Sequence, residues 1–451
     1  MQTIILKKIL AKKYSIADCF ANIEYFYAMD EYFAGIEKFN FWGDNLPDLG
    51  FSRKFYLEKI AAYSESKLIK VLVGQRRVGK SYILRQILFS LVKNGLPKEN
   101  TLYINREYAE FGFIENATDL ERVFAKYKKR MSPKGKIALF IDEIQNINGW
   151  EKFVNSHSQD FTEECDIYIS GSNSKMLSGE LATLLSGRYV QFEILPYSFV
   201  EFAEVNGLSA DRQGYLKYLA TGGLPALTTL PTEESRRNYV DALKDTVLLR
   251  DIVQRYNIKD PNLLENLFAF AVNNSSSLLS ISGIVKYYKG KNKATTYETV
   301  SSYLEYMQNS YILHKVDRFD MRGKEILSGN SKYYLNDSAF HNYLFAGVGY
   351  GIGYQLENLV YLELRRLGFD VFVGTTRTKE VDFVAKKSDR VVYIQSCYLL
   401  SDEETTKREY SALESIHDNY EKYVVSLDDV KMPNRGGIIH LRAWELQDAL
   451  K

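Results

Sequence analysis

Lys80 and Ser81 close the stretch Gly74-Gln75-Arg76-Arg77-Val78-Gly79-Lys80-Ser81, a GxxxxGK[ST] pattern set between the apolar run IKVLV and the amphipathic run KSYILRQILFSLVKNG. Glycines let such a loop curl until its backbone N–H groups face inward. They then form a cradle for phosphate oxygens at the positive end of the following helix. In that arrangement Lys80 reaches the β and γ phosphates and Ser81 lends its hydroxyl to Mg²⁺. Composition alone would produce the pattern in a chain of this length with odds of about 1 in 50. An ordinary Gly-rich turn is therefore the weaker reading, and ATP with Mg²⁺ are the expected cofactors, bound by residues 74–81.

Two further groups fit the same chemistry. The run IALFIDE ends in Asp142 and Glu143, as a Walker B motif does. Asp142 is expected to hold Mg²⁺ together with Ser81, and Glu143 to polarise the attacking water. The run DIYISGSNSK delivers Asn173 to a strand end. If that strand lies beside the one carrying Asp142, Asn173 senses the γ-phosphate or the water.

These side chains need a parallel sheet to bring them to one edge. From Arg53 the sequence alternates apolar runs with amphipathic ones: IKVLV, TLYIN, IALFID, DIYIS and RYVQFEI as strands, with helices between them. Nearly continuous apolar strands are the mark of a parallel sheet covered on both faces. After Leu195 the strands stop, and SFVEFAEV, YLKYLATGG and SRRNYVDALKDTVLLRDIVQRY read as helices. Residues 261–330 give helices and a terminal strand in the order of a winged helix. The block 331–451 alternates strands and helices again, with KYYLND first.

The expected architecture is α/β: a P-loop NTPase doubly wound parallel sheet with a helical subdomain, a winged helix and a C-terminal α/β restriction-endonuclease-like domain. The boundaries are 1–50 for an N-terminal extension, 51–195 for the ATPase core, 196–260, 261–330 and 331–451.

The bulk numbers agree with several domains. The chain has 451 residues, 45% hydrophobic and 25% charged, with 8 prolines, which leaves little room for a long disordered tract. Net charge is +1, so any nucleic-acid surface must be a local patch. Cys19, Cys165 and Cys397 are far apart, which suits a reducing compartment and argues against a disulfide framework or a zinc cluster. Without a sustained apolar run there is no signal peptide or membrane span to expect, and the cytoplasm is the expected location.

GQRRVGKS, ALFIDEIQ with Trp150 and Glu151 after it, GSNSKMLSGELATLLSGRYVQFEILPYSFVEF and the RDIV at 250–253 together resemble the AAA-type ATPases of bacteria and archaea that carry a C-terminal domain of unknown function. The resemblance spans roughly residues 53–445. It implies an arginine finger or sensor at Arg188, acting from the same or a neighbouring subunit of an oligomer, with Arg250 a weaker candidate. Pairing of Arg188 with Glu193 or another surface acid stands as the structural alternative.

The last block resembles a PD-(D/E)xK nuclease core, with Glu357 on a helix, Asp382 in EVDFVA, and the strand IQSCY. Active members need a second carboxylate and a lysine, and here Gln395 and Cys397 stand in those places. Glu380 offers a substitute carboxylate, nothing is expected to replace the lysine, and no cleavage is expected. Residues 284–305 carry Lys286, Lys289, Lys291 and Lys293 but also Glu298 and Glu305, so DNA contact and protein docking both stand.

The function expected is that of a slow Mg-dependent ATPase whose nucleotide state controls a C-terminal interaction module, with nucleic acid as a candidate target. An ATP-regulated metal-dependent DNA nuclease and a nucleotide-gated scaffold that binds protein, through its C-terminal domain, with no DNA contact are the alternatives.

Overall fold

Four of the five short strands of the first sheet are buried along nearly their whole length, as strands covered on both faces are, while the edge strand at Tyr189–Glu193 buries only Phe192. The computed structural model describes residues 33, 35–43, 48–172, 185, 187–291, 295–345, 351–376 and 379–451. They fall into two compact units. The first holds described residues of Met1–Leu72, Ser81–Gly171 and Gly179–Phe192, and the second those of Val73–Lys80, Ser172–Ser178 and Glu193–Lys451.

The first sheet consists of β1 (Ile69–Val73), β2 (Thr101–Asn105), β3 (Ile137–Asp142), β4 (Cys165–Gly171) and β5 (Tyr189–Glu193), in the order β2-β3-β4-β1-β5. β2, β3 and β4 are parallel, and Asn105 lies opposite Asp142 in the register. The helices that the periodicity predicts appear as Lys80–Lys93, Ala117–Met131 and Trp150–Ser158. The helix Ala117–Met131 starts on a capping box in which Asn116 and Asp119 satisfy each other's backbone N–H groups.

The second unit is helical at first, with Phe199–Asn206, Arg212–Thr221 and Glu233–Asp245. The run read as one long helix changes winding at Thr246–Gln254, which is a π-helix. Such wider turns reorient side chains and concentrate at functional places. Here the π segment leaves Arg250 exposed and buries Asp251. Helices Pro261–Asn273, Ile281–Gly290 and Tyr297–Asn309 follow.

An eight-stranded mixed sheet, β13-β12-β11-β10-β9-β7-β8-β6, then runs through the remainder. Its strands are β6 (Leu278–Leu279), β7 (Leu313–Asp320), β8 (Glu325–Leu335), β9 (Asp370–Thr375), β10 (Glu380–Lys387), β11 (Arg390–Ser396), β12 (Glu421–Ser426) and β13 (Ile438–Arg442). β6 and β7 both pair antiparallel with β8, and β7 pairs parallel with β9.

Two details differ from the sequence reading. The run TYETVSSYLEYMQNSYIL, whose pattern predicts one helix of the winged-helix segment, does not stay helical to its end. The helix stops at Asn309, Tyr311 turns left-handed at φ 58°, and the Ile312 N–H closes on the Met307 carbonyl at 3.2 Å. This is a glycine-type stop made without glycine, so the sequence carries no signal for it. The KYYL of KYYLND ends a strand that begins at Glu325, so β8 runs across the expected 330/331 boundary and stops before Asn336.

Asp337, just past β8, is buried and accepts the N–H groups of Gly223 and Ala339, both at 2.8 Å. Burial pushes its pKa from 3.8 up to about 7, against those backbone donors. The stability this group contributes is fully present below about pH 4. It declines as the pH rises, because the unfolded chain gives up its proton first, and it is gone above about pH 7. Asp337→Asn is expected to flatten the fall in unfolding free energy between about pH 4 and 7, measured by urea titration at several pH values.

Candidate nucleotide-binding site

The loop after β1 depends on glycine. Gly74 has φ 143°, and a Cβ there would meet the Ile194 carbonyl oxygen at 2.3 Å. Gly79 has φ 102°, and Arg77 between them is also left-handed at φ 66°. Three such residues within six positions wind the backbone into a tight curl at the start of the helix Lys80–Lys93. Lys80 is buried, and its ammonium donates to the carbonyls of Gly74 at 2.9 Å and Gln75 at 3.0 Å. Its charge is thus held over the curl of its own loop.

The other side chains of the loop divide by role. Arg77 is exposed and Val78 is buried. Arg76 turns to Asp251 of the π segment, Nε to Oδ2 at 2.7 Å, with both groups buried. Gln75 is fully buried, and its Oε1 accepts from the Asn336 amide at 2.7 Å. The Arg76 and Gln75 side chains therefore anchor the loop to residues 175 and 261 positions further on.

Asp142 ends β3, fully buried. Tyr103 donates its hydroxyl at 3.0 Å, Asn105 its amide at 2.9 Å, and Ser170 its hydroxyl, while the Ser81 hydroxyl also lies within stabilising reach. Burial raises its pKa, Glu143 adds to this, and the Ser170, Ser81 and Tyr103 donors oppose it. All these partners are neutral, and among the described residues Asp142 forms no ion pair. A buried carboxylate ringed by neutral hard-oxygen and amide groups, next to a serine hydroxyl, suits a hard divalent cation such as Mg²⁺.

Glu143, also buried, sits at φ 54°, an uncommon conformation for a glutamate. Its backbone N–H donates to the Ser170 hydroxyl at 3.1 Å, and its carboxylate accepts from the Gln145 amide. Backbone strain of this kind persists where surrounding bonds impose it, and it often marks a functional position.

β4 does pair with β3, the arrangement required for the Asn173 reading. Asn173 itself lies outside the described residues, and Ser170 is the side chain of that strand seen to reach Asp142. Arg188 is exposed, its carbonyl accepting the Ile69 N–H at 3.0 Å, and among the described residues its guanidinium forms no ion pair. Glu193 is instead engaged by Arg365 at 3.0 Å. Tyr103, Asn105 and Ser170 do not stand out in the sequence. The usable signal is that parallel strands end at one edge, so the last residues of TLYIN and DIYIS have to face the end of IALFID.

Residues 66–203 match the AAA domain family, and residues 212–350 match a domain of unknown function, DUF8612. An uncharacterized protein of Haemophilus influenzae is 34% identical over 402 residues, 88% of this chain and 98% of its own length. The chain belongs to the AAA family. A second relative of this AAA protein, an uncharacterized protein of Methanocaldococcus jannaschii, is 33% identical over 384 residues, 81% of this chain and 80% of that one. Among solved structures, a Walker-type ATPase of Pyrococcus abyssi aligns at 16% identity and a TM-score of 0.41, covering 65% of this chain and 96% of that one. Among the described residues, no helix of the AAA protein is long and apolar enough to cross a membrane.

The C-terminal acids form a second cluster, and one expectation about it fails. Lys332 of β8 reaches both Glu357 and Glu380 at 2.9 Å, so an ammonium does stand among these carboxylates, supplied by a strand outside the IQSCY segment. Burial works against its charge, but Glu357, Asp382 and Glu380 outweigh burial and raise its pKa. Burial and then the Asp382 charge push Glu357 up to about 8, against Lys332 and Tyr334.

Gln395 donates its amide to Asp382 at 3.3 Å and to Glu409 at 3.0 Å. Cys397 packs in an apolar cluster with Tyr393, Leu400 and Tyr410, and burial raises its thiol pKa. It is a residue of the apolar core.

Proposed function

We propose that the protein binds Mg·ATP on residues 74–81 and hydrolyses it slowly, and that its nucleotide state controls the C-terminal module. The observation that carries this reading is the Asp142 carboxylate, buried without an ion-pair partner among the described residues and within reach of the Ser81 hydroxyl that closes the phosphate loop. Ser81 and Asp142 would hold Mg²⁺, which when bound neutralises charge on the phosphate oxygens. The loop's N–H groups and Lys80 bind and orient the β and γ phosphates. Glu143, one residue beyond Asp142, holds a water by hydrogen bonding and takes its proton as it attacks. Asn173 and Arg188 are proposed to complete the site, Asn173 by orienting the water and Arg188 by stabilising charge on the transferring phosphate, within one subunit or across an oligomer. A coupled-enzyme phosphate-release assay on the full chain, with and without Mg²⁺, tests the hydrolytic part.

A second reading, DNA binding by residues 284–305, is favoured by one surface. Helix Ile281–Gly290 exposes Lys286, Lys289 and Tyr287, and Lys291 lies over the Tyr287 ring at 4.6 Å. The helix Tyr297–Asn309 of this winged-helix-like segment exposes Glu298 and Glu305, so the lysine-bearing helix is the better partner for phosphates. Replacing Lys286, Lys289 and Lys291 by Ala is expected to weaken binding of any DNA duplex and to lower the slope of log affinity against log salt by about 0.9 for each phosphate no longer neutralised. Binding by the wild-type chain that is insensitive to salt would favour the protein-docking reading. Nuclease activity is not expected, since an amide at Gln395 is a poor Mg²⁺ ligand, and a plasmid-cleavage assay with Mg²⁺ or Mn²⁺ checks this.

A further inference from the structure

Gln75, the second residue of the phosphate loop, is fully buried and held at one end only. Its Oε1 accepts from Asn336, and among the described residues its Nε2 has no hydrogen-bond partner. Asn336 is itself buried and fixed from the far side, because His314 Nε2 lies 2.9 Å from its Oδ1. Its Oδ1 faces the His314 ring while its Nδ2 donates to Gln75. One amide thus spans the distance between the His314 ring and the loop.

Asn336 directly follows β8, and side chains two apart on an extended chain share a side. The residues before it in that series are Tyr334 and Lys332, which both reach the same oxygen of Glu357, at 2.7 and 2.9 Å. The segment between has little freedom. Residues 332–335 pair in register with 313–316 of β7, and the Asn358 amide clamps Leu335 by its N–H at 2.7 Å and its carbonyl at 2.9 Å. Glu357 and Asn358 are consecutive on the helix Ile352–Arg366. A shift of Asn336 therefore has to move Tyr334 and Lys332 or break the bonds that hold them.

We propose that Asn336 is a positioning residue of the phosphate loop and that β8 transmits the loop's state to the Lys332–Glu357 pair. This rests on the nucleotide reading of the loop. Closing the backbone curl around phosphates changes the setting of Gln75, the Asn336 bond tightens or yields with it, and the far end of β8 responds.

Hydrogen–deuterium exchange on the full chain, at saturating Mg²⁺ with a non-hydrolysable ATP analogue, tests this beside a binding titration. The wild type is expected to bind and to slow amide exchange across residues 332–336. Asn336→Ala is expected to bind about tenfold more weakly, the equivalent of one buried hydrogen bond, and at saturation to lose the slowing at 332–336. Gln75→Ala cuts the same bond from the loop side, is expected to give the same loss, and serves if Asn336→Ala does not fold. Because both variants remove the same hydrogen bond, the double variant is expected to bind no more weakly than either alone. No binding by the wild type would overturn the nucleotide reading itself. Binding by the wild type without slowing at 332–336, or slowing that survives in both variants, would overturn only the proposed transmission.

Discussion

Lys80→Ala is expected to lower affinity for Mg·ATP by at least about 100-fold, roughly 3 kcal/mol, in an isothermal titration. Lys80 is buried at the start of the helix, and its ammonium is held by two carbonyls of its own loop. Those carbonyls carry only partial charge, so a triphosphate competes well for the ammonium. The replacement leaves the phosphate-binding curl without its cation and frees two carbonyls that water can satisfy. A fold unchanged by circular dichroism with unchanged ATP affinity would show that this lysine does not meet the phosphates.

Glu143→Gln separates binding from hydrolysis. The amide keeps the size of the carboxylate and still meets the Gln145 side chain, but it takes up no proton from water. Turnover is expected to fall by about 10²–10⁴-fold, the usual contribution of general-base catalysis, while ATP affinity stays within a few-fold of wild type. Phosphate release measured under single-turnover conditions checks this. Wild-type turnover no faster than the variant would make the site a nucleotide sensor and remove the hydrolytic step from the proposal.

The parallel-sheet core is legible because its signals are local. Gly74 and Gly79 announce positive φ, Asp142 closes an apolar run, and five apolar strands at regular spacing require a covered parallel sheet. What the sequence conceals is non-local. The pairing of Arg76 with Asp251 is one such case, since no periodicity links positions 175 residues apart. The π segment that buries Asp251 has the same composition as an α-helix. Lys332 stays hidden for a related reason: a motif places its lysine two residues after the second carboxylate, whereas an ammonium can reach the same acids from β8, a different strand. The stop at Tyr311 lacks the glycine that normally marks one.

Family membership and parallel sheet agree with what the motifs imply, but neither assigns a partner. The lysines of Ile281–Gly290 are exposed, whereas the acids around Lys332 are already met by the protein's own ammonium and amides. That asymmetry is why binding rather than cleavage is the activity expected downstream of the nucleotide.

The most direct test is a crystal structure of the full chain grown with Mg²⁺ and a non-hydrolysable ATP analogue. The triphosphate is predicted to lie against the backbone N–H groups of residues 74–81, with the Lys80 ammonium moved from the Gly74 and Gln75 carbonyls to phosphate oxygens and the cation between Ser81 and Asp142. An analogue found elsewhere on the molecule, or a Lys80 still bonded to its own loop with the analogue present, would contradict the account.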